Sequence, residues 1–170
     1  MAALYKIYNG PAPTTASQVA VTTGTAIKSL LQVKPGTTQT LRLVEWGISF
    51  DGSAAATPGI VEVGVFDVAA TVTAHVAAGI HKYNPEALAG GDPTTNIFAV
   101  GVAATGYTAT AEGTIAATRM GDIQHIAPTN QYIFQFPLGR EFYIGPSEFL
   151  RVRVKFGAAI NAICYVLVEA

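Results

Sequence analysis

Charged side chains are scarce in this sequence: Asp, Glu, Lys and Arg make up 12% of its 170 residues, against about 25% in an average soluble domain. Ten basic and eleven acidic residues leave a net charge of −1. That excludes the basic footprint on which electrostatic nucleic-acid binding depends, and an acidic tail as well. One cysteine, Cys164, excludes an intrachain disulfide. Its setting, Ile163-Cys164-Tyr165-Val166-Leu167-Val168, reads as a strand in which a free thiol acts as a small hydrophobe. The apolar runs are cut every few positions by Gly, Pro, Thr or a charge, so no helix long enough to span a membrane is expected. The first residues lack a charged region followed by an apolar core, so a soluble chain without a secretory signal is expected.

Catalytic motifs are missing too. A hydrolase elbow requires Gly-x-Ser-x-Gly, and Trp46-Gly47-Ile48-Ser49-Phe50 and Gly145-Pro146-Ser147-Glu148 both lack the second glycine. Neither phosphate-cradling glycine loop occurs. The histidines, His75, His81 and His125, lie too far apart for a ligand pair on one helix. His75 and His81 on neighbouring strands, completed by Asp67 or Glu86, would be one route to a metal site; surface or interface histidines are the plainer expectation. The carboxylates are scattered, with no pair standing out as an acid/base couple. No catalytic residue, cofactor or metal is therefore expected. Glu45 is the one charge inside a strongly apolar strand, expected to face outward or to meet an arginine. Trp46 with Tyr132 and Tyr143 would make a sugar-stacking platform, but Trp46 shares its parity with Ile48 and Phe50, which points to the core.

What is present is apolar and punctuated. Hydrophobic residues make up 50% of the chain and mean hydropathy is +0.36, which rules out disorder as the whole answer. Residues 1–25 combine Tyr5-Lys6-Ile7-Tyr8 with a proline-containing stretch and read as an extended arm, with Tyr5, Ile7 and Tyr8 as candidate anchors on a partner; folding back onto its own domain is the alternative. From residue 26 strand follows strand. Ile27–Val33 ends at a Pro-Gly turn. Leu41–Phe50 switches parity, which suggests a bulge near Val44. Ile60–Phe66 is apolar on both parities. In Tyr132–Phe136 and Leu150–Phe156 apolar and polar residues alternate. Arg151, Arg153 and Lys155 are assigned to solvent or to a subunit contact, and Ile163–Val168 to the antiparallel partner of the preceding strand. Asn84-Pro85-Glu86-Ala87-Leu88 is the best helix start, about one turn long, and residues 99–121 read as one or two weak strands in a long excursion. The expected fold is all-β: a single antiparallel β-sandwich domain, jelly-roll-like, over residues 26–170.

A surface this poor in charge suits protein–protein association, and symmetric homo-oligomers are its commonest form. The strings Leu43-Val44-Glu45-Trp46-Gly47-Ile48-Ser49-Phe50-Asp51-Gly52 and Phe134-Gln135-Phe136-Pro137-Leu138-Gly139-Arg140-Glu141, with the Arg151-Val152-Arg153-Val154 strand, resemble small virion proteins of tailed bacteriophages, the capsid decoration or cement proteins. The resemblance covers roughly residues 26–170. It implies a non-catalytic β-rich protein, often trimeric, that binds the major capsid protein on the capsid exterior between capsomers and is made in the host cytoplasm. It carries no catalytic residues with it, and no nucleic-acid or membrane partner is expected. Under this reading, removing residues 1–15 weakens particle binding and leaves the domain folded. A carbohydrate-binding module or fibre-head receptor-binding domain using Trp46 and exposed tyrosines is the alternative, and a β-sandwich hydrolase a distant third.

Overall fold

Along the C-terminal strand Ala162, Cys164, Val166 and Val168 are fully buried, while Ile163, Tyr165 and Leu167 between them are partly exposed. That period of two places one face of a sheet against a core. The computed structural model describes residues 3–52, 57–83 and 97–170, and builds two antiparallel sheets from them. With strands numbered in chain order, the first sheet runs β11 (Gln131–Gln135), β4 (Leu41–Phe50), β14 (Asn161–Glu169), β1 (Leu4–Tyr8), β7 (Ile80–Lys82); β12 (Phe142–Ile144) also pairs with β4, and β2 (Val21–Thr22) with β14. The second runs β10 (Thr118–Ile126), β5 (Gly59–Phe66), β13 (Phe149–Lys155), β3 (Lys28–Pro35), β9 (Gly106–Ala111), β6 (Thr71–Ala74), with β8 (Phe98–Ala99) on β3.

The principal strands in chain order are β1, β3, β4, β5, β10, β11, β13 and β14. One sheet then reads sixth, third, eighth, first, and the other fifth, fourth, seventh, second. This interleaving is a jelly roll. Tyr5, Ile7, Trp46 and Val166 from one sheet share the core with Val63, Leu150, Val152 and Val154 from the other, each aliphatic side chain contributing about 1.5–3 kcal/mol by leaving water. The expected bulge is present: Val168 faces Leu43 and Leu167 faces Glu45, so Val44 has no partner on β14. The slip lets Leu41 and Leu43 point inward on one parity and Trp46 and Ile48 on the other.

Three expectations need correction. Within the expected arm of residues 1–25, the segment Leu4–Asn9 is not free but part of the sandwich. β1 pairs along its whole length with β14 and also with β7, and Tyr5 and Ile7 are buried in the chain's own core. Asn9 extends that ladder with its side chain, donating from Nδ2 to the Ala162 carbonyl and accepting at Oδ1 from the Cys164 N–H. Secondly, β13 and β14 are not a hairpin. They lie in opposite sheets, because the turn at Gly157 arches across the sandwich so that the inward faces of both strands meet in one core.

The third correction concerns Arg151 and Arg153. Arg151 is fully buried, Arg153 partly so, and Lys155 alone of the three is exposed. The excursion between β5 and β10 folds over the outer face of β3 and β13. Arg151 donates to the carbonyls of Val68 and Glu112. Glu112 also accepts from the Ser29 N–H and hydroxyl, both at 2.6 Å. Gln32, buried beside them, accepts from the Ala70 N–H and donates to the Ala104 carbonyl. Arg153 donates from Nε to Glu62 at 2.6 Å and stacks over the Phe66 ring. An alternating pattern reads as solvated until a second layer covers it. The helix start at Asn84–Leu88 lies outside the described residues; residues 99–121 contain β9 and the start of β10.

Candidate functional site

Two surface features stand out. The first is one side of the sandwich. β11 and β12 both pair with β4 and form that edge of the first sheet, beside β10, the edge of the second. The two edges are tied by the Tyr132 hydroxyl, which donates to Asp122 at 2.8 Å, and by Gly121 lying against the Phe142 ring. Burial and the Asp122 hydrogen bond raise the Tyr132 phenol to about 12. Around this edge Ile123 faces outward from the second sheet, paired with Glu62, and Ile133 and Tyr143 outward from the first, each at least half exposed, while Leu138 is 98% exposed. Leu138 stands in the tight turn between β11 and β12, where Gly139 takes a φ of +78° that favours glycine. The Gly139 N–H donates to the Glu141 carboxylate and holds that acid below its usual range.

The second feature is an aromatic cleft on the outer face of the first sheet. Lys6 and Tyr8 project there from β1, Tyr165 and Ile163 from β14, and His81 from β7, with Tyr83 just beyond. The Lys6 ammonium lies 3.9 Å from the Tyr165 ring centroid and within 6 Å of those of Tyr8 and Tyr83, a cation held over aromatic faces. Tyr165 lies flat because Gly47 beneath it has no side chain; a Cβ there would sit 2.6 Å from the ring. The Tyr165 hydroxyl donates to Glu45 at 2.6 Å, and burial pushes its pKa well up. A cavity of about 420 Å³ opens between Lys6, Tyr8, Gln18, His81, Tyr83 and Ile163. A second, of about 210 Å³, continues between Tyr8, Ile163, Tyr165, Ser49, Gln131 and Ile133.

Of the proposed arm anchors, Tyr8 alone reaches this surface, while Tyr5 and Ile7 face the core. Glu45 faces outward and meets a tyrosine rather than an arginine. The three aromatics of the expected sugar platform do not converge on the surface: Trp46 is fully buried, packing on Tyr132 at 5.4 Å between centroids, and Tyr143 projects elsewhere. Cys164 is buried and its thiol is pushed up by burial. His75 is buried rather than surface-exposed, with Nε2 donating to the Tyr8 carbonyl at 2.8 Å. Among the described residues no three His, Cys, Asp or Glu side chains form a group able to hold a metal ion; Glu86 lies outside them. The cleft was missed in the sequence because its residues come from segments near 6, 81 and 165, which only the pairing of β1 with both β14 and β7 brings together. Comparison with family models, curated proteins and solved structures gives no match for this chain.

Proposed function

We propose that this chain is a non-catalytic structural virion protein that decorates a bacteriophage capsid, binding the outer shell between capsomers and acting as a homotrimer on the major capsid protein. The observation that carries this reading is Leu138, 98% exposed on the turn between β11 and β12, in a chain with 12% charged residues. A nearly fully exposed leucine on a tight turn costs solubility and repays it when it enters a pocket on a partner. The second support is the resemblance of the strings around Trp46 and Phe134 to cement proteins. A protein of this kind stabilises a shell by binding the assembled lattice better than free subunits, so each bound copy adds its differential affinity.

The test is imaging of particles reconstituted with the wild-type chain and with Leu138→Asp, after solution mass measurement of the free protein. Ordered copies between capsomers, with occupancy lowered by about tenfold or more at matched concentration for the variant, support the reading. Particles without bound wild-type protein, or equal occupancy by the variant, refute it.

A further inference from the structure

We infer that the two cavities on the outer face of the first sheet form one groove that binds a neutral oligosaccharide. This rests neither on the capsid reading nor on Trp46. The cavities share Tyr8 and Ile163 as walls and together cross β7, β1, β14, β4 and β11. At roughly 4.8 Å per strand step that is about 19 Å, the reach of several linked sugars rather than of one.

The chemistry of the walls selects the occupant. Tyr8, Tyr83 and Tyr165 offer rings to the apolar C–H faces of pyranoses, while Lys6, His81, Ser49 and Gln131 place hydrogen-bonding groups around them. Gln18 supplies an independent sign. Its amide packs against Gly10, and neither its nitrogen nor its oxygen has a hydrogen-bond partner. A donor and an acceptor held together without partners suit the adjacent hydroxyls of a sugar once the amide turns into the cavity. The nearest charges, Lys6 and Glu45, have opposite signs, which favours a ligand without net charge.

An extended peptide fits less well. β1, β14 and β4 are each paired on both sides, so the groove floor has no free ladder positions, and a peptide would leave its own N–H and C=O groups unmatched. A sugar keeps its outward hydroxyls in water.

The experiment is saturation-transfer NMR on the full chain with neutral gluco-, galacto-, manno- and N-acetylglucosamine oligosaccharides at millimolar concentration, followed by titration of any binder. Tyr83→Ser and Gln18→Leu are the variants. Tyr83 is 62% exposed, so its replacement leaves the fold intact, which thermal melts of both variants check. The expected result is transfer to at least one oligosaccharide, with affinity lowered about tenfold or more in Tyr83→Ser and also lowered in Gln18→Leu. Absence of transfer across the panel, or affinity unchanged in Tyr83→Ser, overturns the proposal. So does an oligomer that Tyr83→Ser dissociates, because the groove would then hold a second copy. Failure here leaves the capsid reading standing, since that reading is scored on particles and at Leu138.

Discussion

The Arg151 guanidinium, fully shielded from solvent, lies 3.4 Å from the Glu112 carboxylate and donates from the same nitrogen to the Glu112 backbone carbonyl at 3.0 Å. The pair fastens the long excursion to the outer face of β13. A buried cation that loses its counter-charge is far costlier than the pair is favourable, and the partial exposure of Glu112 softens that cost. Glu112→Gln is therefore expected to destabilise the fold by about 2–3 kcal/mol, read as a lower urea midpoint. Hydrogen exchange should also rise first in β9 and in the segment around Ala70. A midpoint equal to wild type would show that the excursion is held, without the ion pair, by Gln32 and by the Thr105 hydroxyl, which accepts from the Lys34 N–H at 2.9 Å.

Removing residues 1–9 should unfold the chain or drive it to aggregate, contrary to the expectation of an expendable arm. Ile7 alone contributes about 1.5–3 kcal/mol by burial, set against a total stability of about 5–15 kcal/mol for a domain. The deletion also strips the ladder partner from Leu4–Tyr8's side of β14, exposing a long edge strand in the middle of a sheet. Circular dichroism and size-exclusion chromatography decide it. A monodisperse truncated protein with a wild-type melting temperature would contradict the placement of β1.

Acid should weaken the fold through His75. Burial is the main cause of its lowered pKa, and the nearby His81 adds repulsion, against a raising contribution from the Tyr8 carbonyl. Because the folded value lies below the unfolded one of about 6.5, the stability contributed by the neutral ring is fully present above that pH and is lost as pH falls toward the folded value. His81, also lowered by burial, acts in the same direction. Denaturant midpoints should fall between about pH 7 and pH 5, and His75→Gln, which keeps a donor for the Tyr8 carbonyl, should flatten the slope. Equal slopes in the two proteins would remove His75 from the account.

Periodicity made the inner faces legible. Val152 and Val154, or Cys164 and Val166, announce their burial by alternation, and the parity switch at Val44 announced its bulge. Arg151 was misread because alternation says which side chains share a face, not whether another layer lies above it. Tyr5 and Ile7 were assigned to an arm because nearby prolines resemble a linker, yet their partners lie some 160 positions away at Val168 and Val166, where no local signal reaches. The cleft was illegible for the same reason, since its walls are neighbours by topology alone. Gly47 could have been noticed: a glycine inside a strand often marks close approach by another group.

That glycine yields the sharpest test of the cleft floor. In Gly47→Ala the new methyl meets the Tyr165 ring at a distance no relaxed structure tolerates, so the ring must lift off β4. In lifting, it loses its hydrogen bond to Glu45 and displaces the Lys6 ammonium held over its face. Overpacking of this kind costs about 1–3 kcal/mol, and the loss should be visible in thermal unfolding. Tyr165→Phe on its own removes the hydroxyl and leaves the ring in place, so it should cost about 1 kcal/mol or less beyond the unmatched Glu45 oxygen, which turns to solvent. Tyr165→Ala combined with Gly47→Ala removes the clash, so the double variant should be more stable than the sum of the two single losses predicts. Strict additivity would mean that the ring does not rest on Gly47.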